Sequence, residues 1–243
     1  PLLAWRPDVI HCHDWHTGLI PFYLKTDFRY SKTLHKAKTI FTIHNLAYQL
    51  GHNWWEVPER KKDYGRSRIP HISDPNIENI NFAKRAILSA DAINAVSETY
   101  REEIMTKSFG QDLHRILRNR EKRLFGIVNG IDEKEFNPSH DPGIFYNYDR
   151  RHISVKTKNK LDLQKMFNLP VDKKIPLIGM VTRIAEQKGF SLIFSALDYV
   201  MGLNVQLIIM GGGDKNYENK IMQAIKKYPK KIAADIEFNT KDA

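Results

Sequence analysis

Two basic residues, Arg183 and Lys188, lie in the stretch Val181-Thr-Arg-Ile-Ala-Glu-Gln-Lys-Gly189. Residues 175–181 are predicted to form a buried strand, and a helical face follows at the spacing of Phe190, Ile193, Phe194 and Leu197. The stretch between them is therefore a strand-to-helix turn, the kind of place where α/β proteins bind anions. Two cations there predict a diphosphate site. The alternative, that both are ordinary solvated charges, stays open.

A second group of reactive side chains occurs in His11-Cys-His-Asp-Trp-His16. Three imidazoles and a carboxylate suggest a metal site. A strand, however, places His11 and His13 on one face and Cys12 on the other, so the ligand geometry is wrong and no metal is predicted. His11 is interpreted as a structural residue of the core.

The residues that follow the strand predicted over residues 8–12 favour a ligand site without a metal. Asp14, Trp15 and His16 would lie at the carboxyl end of this strand and face a cleft, where Trp15 can stack on a sugar ring. The alternative is that Trp15 is only a packing aromatic. His44 and Asn45 end the strand predicted over residues 38–43, so they reach the same edge and suit hydrogen bonds to ligand hydroxyl groups.

Two further strand ends carry small or polar residues. Asn129 and Gly130 follow the strand predicted over residues 124–128, although this pair could be a turn alone. Gly212 lies in Met210-Gly-Gly-Gly-Asp214, between a strand and a helix, where glycine permits close approach of the backbone to phosphate or ribose. Neither signal is specific when taken alone.

The elements that must position these residues alternate between strand and helix, which predicts α/β architecture with parallel sheets. Residues 51–79 and 132–160 lack periodicity and are predicted to be irregular. Thr99 and Glu102 have the spacing of a capping box for the helix that follows the strand at residues 92–96. The break in the pattern between residues 118 and 160 marks the passage from one domain to the next.

Composition narrows the classes of partner. The 243 residues carry a net charge of +10, which favours anionic ligands. The basic residues are dispersed and accompany no nucleic-acid-binding motif, so no nucleic acid is predicted. The single cysteine, Cys12, excludes an intramolecular disulfide and suits a reducing cytoplasm. No apolar run of about 18 residues occurs, so no membrane partner is predicted.

Taken together, the motifs resemble the bacterial glycogen synthase and plant starch synthase family. The matching phrases occur in the family's order and are His13-Asp-Trp-His-Thr-Gly18, Thr42-Ile-His-Asn-Leu-Ala-Tyr48, Ile80-Asn-Phe-Ala-Lys84, Val96-Ser-Glu-Thr-Tyr100, Gly126-Ile-Val-Asn-Gly-Ile-Asp132 and Arg183-Ile-Ala-Glu-Gln-Lys-Gly189. The resemblance implies two Rossmann-like parallel-sheet domains of the glycosyltransferase B type, each only partly present. Residues 1–123 would be the C-terminal part of the acceptor-side domain, and residues 124–243 the N-terminal part of the nucleotide-sugar domain.

The resemblance also implies a reaction: transfer of glucose from ADP-glucose to the non-reducing end of an α-1,4-glucan, with retention and without a metal or other cofactor. The implied catalytic residues are Asp14, His44, Arg183 and Lys188. The implied substrate-binding residues are Trp15, Asn45, Asn129, Gly212 and Phe238, although Glu237 replaces the family's usual glycine beside Phe238.

Two family motifs that contact the donor fall outside residues 1–243, so the segment alone is expected to be inactive. A cytoplasmic location is expected, or a plastid one if the source is a plant. Two alternatives stay open: a relative that uses UDP-glucose, and a glucan-binding protein that has lost catalysis.

Overall fold

The computed structural model describes residues 5–50, 56–71 and 73–236. The chain divides into two compact units, Pro1–Gly130 and Ile131–Ala243. Each unit contains a parallel sheet with helices packed against it, which confirms the predicted α/β class. None of the helices in these ranges is both long enough and apolar enough to cross a membrane.

In its described residues, the first unit contains four strands and four α-helices. In chain order they are β1 (Val9–His13), α1 (Leu19–Lys25), β2 (Lys38–Ile43), α2 (Phe82–Ser89), β3 (Ala92–Ala95), α3 (Glu98–Ile104), α4 (His114–Asn119) and β4 (Leu124–Gly126). The strands pair in the order β1-β2-β3-β4, all parallel. Central β2 and β3 supply the core because their inward residues Phe41, Ile43, Ile93 and Ala95 are at most 2% exposed. This arrangement brings the carboxyl ends of all four strands to one edge.

The boundary between the units lies after Gly130, and not after residue 123 as predicted. The reason is the pairing of β4, whose Leu124 and Gly126 lie opposite Ile93 and Ala95 of β3. A strand hydrogen-bonded into the first sheet belongs to the first unit. The passage between domains does fall between residues 118 and 160, as predicted. The sequence pattern could not show, however, which sheet the strand at residue 124 would join.

The N-terminus of α3 also differs from the prediction. Ser97 caps it, in extended conformation, and its hydroxyl accepts a hydrogen bond of 2.9 Å from the backbone N–H of Tyr100. Thr99 instead lies inside the first turn of the helix. The predicted capping box of Thr99 and Glu102 is therefore wrong.

The stretch at residues 51–79 is irregular where it is described, as predicted, and contains two short 3₁₀ turns. Arg85 of α2 anchors it. Its guanidinium donates to both carboxylate oxygens of Asp63 at 2.7 Å and to the carbonyl of Ser67 at 2.9 Å. Both charged side chains are 0% exposed, and the guanidinium lies 4.7 Å from the ring centroid of Phe22. A buried ion pair thus holds the loop on the core.

Up to residue 236, where its description ends, the second unit shows three strands and three α-helices. They are α5 (Lys156–Met166), β5 (Leu177–Val181), α6 (Phe190–Gly202), β6 (Gln206–Met210), α7 (Lys215–Lys227) and β7 (Ile232–Asp235). The strands are parallel in the order β5-β6-β7, and every residue of β6 is buried. Helices α6 and α7 pack on one face of the sheet and α5 on the other.

Two predictions for this unit are wrong. β5 is not a buried strand: it lies at the edge of the described sheet, and Ile178 and Val181 are 43% and 51% exposed. Helix α5 begins within the stretch predicted to be irregular, because a sequence rich in lysine shows no apolar period. One buried side chain fixes α5, since Gln164 donates to Gln206 at 2.6 Å and accepts from the N–H of Asp172 at 3.0 Å.

Candidate active site

Asp14 and His44 meet at the carboxyl ends of neighbouring parallel strands. β1 pairs with β2 so that His13 lies opposite Thr42. The backbone N–H of Asp14 then donates to the carbonyl of Thr42 at 3.0 Å, and the backbone N–H of His44 donates to Asp14 Oδ1 at 2.9 Å. The predicted convergence of these two strand ends is confirmed. Their catalytic roles stay a prediction.

The backbone of Asp14 is strained. Its φ of 53° and ψ of 179° lie in a region that is populated almost only by glycine. Such a conformation costs about 1–3 kcal/mol and persists where surrounding contacts impose it. Here the two hydrogen bonds to β2 impose it. Strain of this kind concentrates at functional sites, which supports a functional role for the carboxylate.

The strain at Asp14 yields a prediction that separates stability from activity. Asp14→Gly relieves the backbone strain but removes the carboxylate, whereas Asp14→Ala keeps the strain and removes the same group. We expect Asp14→Gly to be more stable than Asp14→Ala by about 1–2 kcal/mol, with both variants losing most activity. Urea unfolding measures the first effect, and initial rates of the full-length protein measure the second. Equal stability of the two variants would show that the conformation costs nothing.

His13 also belongs to this group, although it was not among the predicted site residues. Its Nδ1 lies 3.0 Å from His44 Nε2, and its ring centroid lies 4.2 Å from that of His11. His11 in turn hydrogen-bonds Thr42 Oγ1 at 2.7 Å. The sequence does contain a signal for this contact. Strand alternation places His11 and His13 on one face, and the parallel strand ends that bring Asp14 to His44 also bring His13 there.

His11 is not a core residue, contrary to the prediction. It is exposed on the face of β1 opposite Cys12, whose side chain is 1% exposed in the core. The pKa of His11 is lowered by partial desolvation and then by the nearby charges of His13 and His44. Within the described residues, no group of three or more His, Cys, Asp or Glu side chains could hold a metal ion.

The predicted substrate-binding residues of the first unit have different surroundings. Trp15 packs against the core and stacks on His16 at a centroid distance of 3.9 Å, contacts that favour its interpretation as a packing aromatic. Asn45 Oδ1 accepts from the N–H of Ala47 at 3.0 Å, which commits that oxygen to a turn. Asn129 is exposed just beyond β4. Sugar binding by these three residues stays a prediction.

In the second unit, Arg183 and Lys188 lie on the turn between β5 and α6, as predicted. Both side chains are exposed, and neither has a charged or hydrogen-bonded partner among the described residues. By contrast, Lys215, at the start of α7, is paired with Glu218 at 2.6 Å. Two unpaired cations on one strand-to-helix turn are available to an anionic ligand.

The turn is joined to the glycine-rich loop after β6. Ile184 forms a parallel bridge with Gly213: its N–H donates to the carbonyl of Gly212 at 3.0 Å, and its carbonyl accepts from the N–H of Asp214 at 2.8 Å. A Cβ on Gly213 would lie 2.1 Å from the Ile184 carbonyl oxygen. A Cβ on Gly212, the predicted ligand contact, would lie 3.2 Å from the Ile236 carbonyl oxygen. The glycines therefore let two loops pack together, and ligand contact by Gly212 stays a prediction.

This close approach predicts a position-specific effect of alanine. Gly213→Ala should lower the free energy of unfolding of the second unit by about 1–3 kcal/mol, because backbone atoms on both sides must move. Gly179→Ala in β5 is the matched control, since a Cβ there meets nothing within 4 Å. Denaturant unfolding monitored by circular dichroism compares them. Equal midpoints for the two variants would contradict the tight packing.

Phe238 lies outside the described residues. Of the remaining predicted residues, Asp14, Trp15, His44, Asn45 and Asn129 belong to the first unit. Arg183, Lys188 and Gly212 belong to the second. The structure thus contains two groups of candidate side chains, each at the carboxyl ends of parallel strands, where α/β proteins bind ligands.

Comparison with known proteins agrees with this arrangement. Residues 1–119 match the family described as the starch synthase catalytic domain. The chain is 44% identical over 235 residues to a glycogen synthase of Pseudothermotoga lettingae, covering 96% of this chain and 47% of that protein. A glycogen synthase of Desulforudis audaxviator is 41% identical over 251 residues, covering 98% and 47%. The chain spans about half the length of the curated relatives it matches.

A solved structure shows the same fold. The catalytic domain of starch synthase IV from Arabidopsis thaliana, bound to ADP and acarbose, matches with a TM-score of 0.80 at 27% identity, covering 97% of this chain and 49% of that chain. This match and the two parallel sheets of the chain confirm the predicted fold class, that of glycosyltransferase B enzymes. The chain belongs to the glycogen synthase and starch synthase family of glycosyltransferases.

Proposed function

We propose that the protein carrying this chain transfers glucose from ADP-glucose to the non-reducing end of an α-1,4-glucan, with retention of configuration. The observation that carries the proposal is the turn between β5 and α6, where Arg183 and Lys188 are exposed and unpaired within the described part of the chain. A related starch synthase domain was solved with ADP and acarbose, a nucleoside diphosphate and an oligosaccharide analogue. Both ligand classes fit this proposal.

The chemistry assigned to the turn is stabilisation of the leaving group. When the bond between glucose and the diphosphate breaks, negative charge grows on the phosphate oxygens. Fixed cations at that place stabilise the transition state more than the ground state, which raises the rate. Arg183 can donate two parallel hydrogen bonds to phosphate, and Lys188 adds a point charge. In this proposal the two side chains neutralise the diphosphate without a cofactor.

The group at the ends of β1 and β2 is assigned to the sugar. His44 is proposed to hydrogen-bond the transferred glucose, and Asp14 to lie near donor sugar and acceptor. The hydrogen bond from the His44 N–H to Asp14 Oδ1 keeps these two residues in register. A carboxylate carried on a backbone that is held in a strained conformation is suited to a fixed role of this kind.

Incorporation of labelled glucose into glycogen tests the proposal, with ADP-glucose and UDP-glucose supplied separately to the full-length protein. Incorporation from ADP-glucose is expected. Incorporation from UDP-glucose alone would show that UDP-glucose is the donor, and the proposed transfer of glucose to a glucan would still stand. Binding of glycogen without incorporation from either donor would indicate a glucan-binding protein and overturn the proposed activity.

A further inference from the structure

Glu186 joins three parts of the second unit through one carboxylate. It begins the short 3₁₀ turn Glu186–Lys188, between β5 and α6. Its Oε1 accepts a hydrogen bond of 2.5 Å from the hydroxyl of Ser191, in the first turn of α6. Its Oε2 accepts a hydrogen bond from the hydroxyl of Tyr217, in the first turn of α7. The turn is therefore tied to the N-terminal ends of both helices.

Tyr217 is a rigid donor for this tie. Its ring lies 5.6 Å from that of Phe190, which is 0% exposed, and stacks on Phe194 at 6.0 Å with an interplanar angle of 3°. The ammonium of Lys220 lies 5.2 Å from the ring centroid of Tyr217. Packing against the core of the unit thus fixes the phenol group of Tyr217. Its hydrogen bond to Glu186 then restrains the turn Glu186–Lys188.

Lys188 projects from the same turn. Its N–H donates to the carbonyl of Ala185 at 2.9 Å, and the N–H of Gly189 donates to the carbonyl of Glu186 at 2.8 Å. Gly189 then ends the turn with a left-handed φ of 79°. Because the turn is short and closed by these bonds, a contact that fixes Glu186 also fixes the backbone from which Lys188 extends.

We propose that Glu186 is a positioning residue: its hydrogen bonds to Ser191 and Tyr217 hold the turn so that Lys188 meets the diphosphate of the donor. The inference rests on the proposed function, because it needs a diphosphate at this turn. The same contacts lower the pKa of Glu186, first through the hydrogen bond from Ser191 and then through that from Tyr217. They raise the pKa of Tyr217, and the largest cause of that rise is the hydrogen bond to Glu186.

Electrostatics alone would predict the opposite effect on ligand binding. A carboxylate two residues from a phosphate-binding lysine repels the anion, so neutralising Glu186 without loss of order should tighten diphosphate binding. Loss of positioning should weaken it. The sign of the change therefore distinguishes a positioning role from a simple charge effect.

Calorimetric titration of the full-length protein with ADP and with AMP tests the inference. Glu186→Gln and Tyr217→Phe should each weaken ADP binding about 3- to 10-fold, the net contribution of one hydrogen bond, and leave AMP binding nearly unchanged. Matched controls are Asp198→Asn, an exposed carboxylate on α6, and Tyr199→Phe, whose ring is 78% exposed. Both controls should bind ADP as the unsubstituted protein does.

Two results would overturn the inference. Unchanged or tighter ADP binding in Glu186→Gln and Tyr217→Phe, with the unsubstituted protein binding ADP, would reject the positioning role and leave the proposed function standing. Failure of the unsubstituted protein to bind ADP would reject both. Ultraviolet titration, taken as the difference between each protein and its Tyr217→Phe counterpart, tests the hydrogen bond between Glu186 and Tyr217, since the pKa of Tyr217 should fall towards its ordinary value in Glu186→Gln.

Discussion

Replacing Arg183 by alanine is expected to lower kcat by about 100- to 1000-fold, the effect of removing one fixed donor that faces developing negative charge. The guanidinium has no partner among the described residues, so its loss breaks no contact that the fold needs. KM should change much less, because the charge on the diphosphate is greatest in the transition state. Steady-state kinetics with ADP-glucose and glycogen measure both constants.

Two further variants sharpen this prediction. Arg183→Lys keeps the charge but loses the planar fork, so it should recover only part of the rate. Lys226→Ala removes the same charge from an exposed position in the last turn of α7, at the opposite end of that helix from the turn, and should keep the full rate. If Arg183→Ala retains the full kcat, the turn does not stabilise the leaving group.

Arg85→Met is expected to lower the free energy of unfolding of the first unit by about 3–5 kcal/mol. The substitution leaves the carboxylate of Asp63 without its partner at a position that is 0% exposed. It also releases the irregular loop from α2, because the guanidinium holds Ser67 as well. Unfolding in urea can be followed by tryptophan fluorescence, since all four tryptophans precede residue 131 in the sequence.

The control for Arg85 is Arg68→Met in the same loop, where the side chain is exposed. That variant should change stability by less than about 0.5 kcal/mol. The double variant Asp63→Leu with Arg85→Met removes both charges and should recover part of the loss, because no uncompensated charge stays buried. An unfolding midpoint for Arg85→Met equal to that of Arg68→Met would show that the ion pair of Arg85 and Asp63 does not stabilise the first unit.

The strand ends were predictable because they depend on local rules. Alternation along β1 correctly separated Cys12 from His11 and His13, and the parallel order correctly brought Asp14 to His44. The turn with Arg183 and Lys188 was located because an apolar run and a helical period bounded it on both sides. In each case the relevant information lies within a few residues of the position.

Other features depend on partners that are distant in the sequence, and no local rule could supply them. Whether β5 is buried depends on its neighbours in the sheet, which its apolar composition does not specify. Helix α5 has almost no apolar face and is fixed by Gln164 and Gln206, which are far apart in the chain. The tie between Glu186 and Tyr217 is of the same kind. Contacts of this range become visible only in the folded chain.

The most direct test of the central claim follows both halves of the reaction in one sample of the full-length protein. Proton NMR resolves the anomeric signal of ADP-glucose from that of α-1,4-linked glucose in the growing glucan. The proposed function predicts that the first signal declines as the second grows in equal amount, with ADP released. Release of free glucose, a β-linked product, or no consumption of ADP-glucose would contradict it.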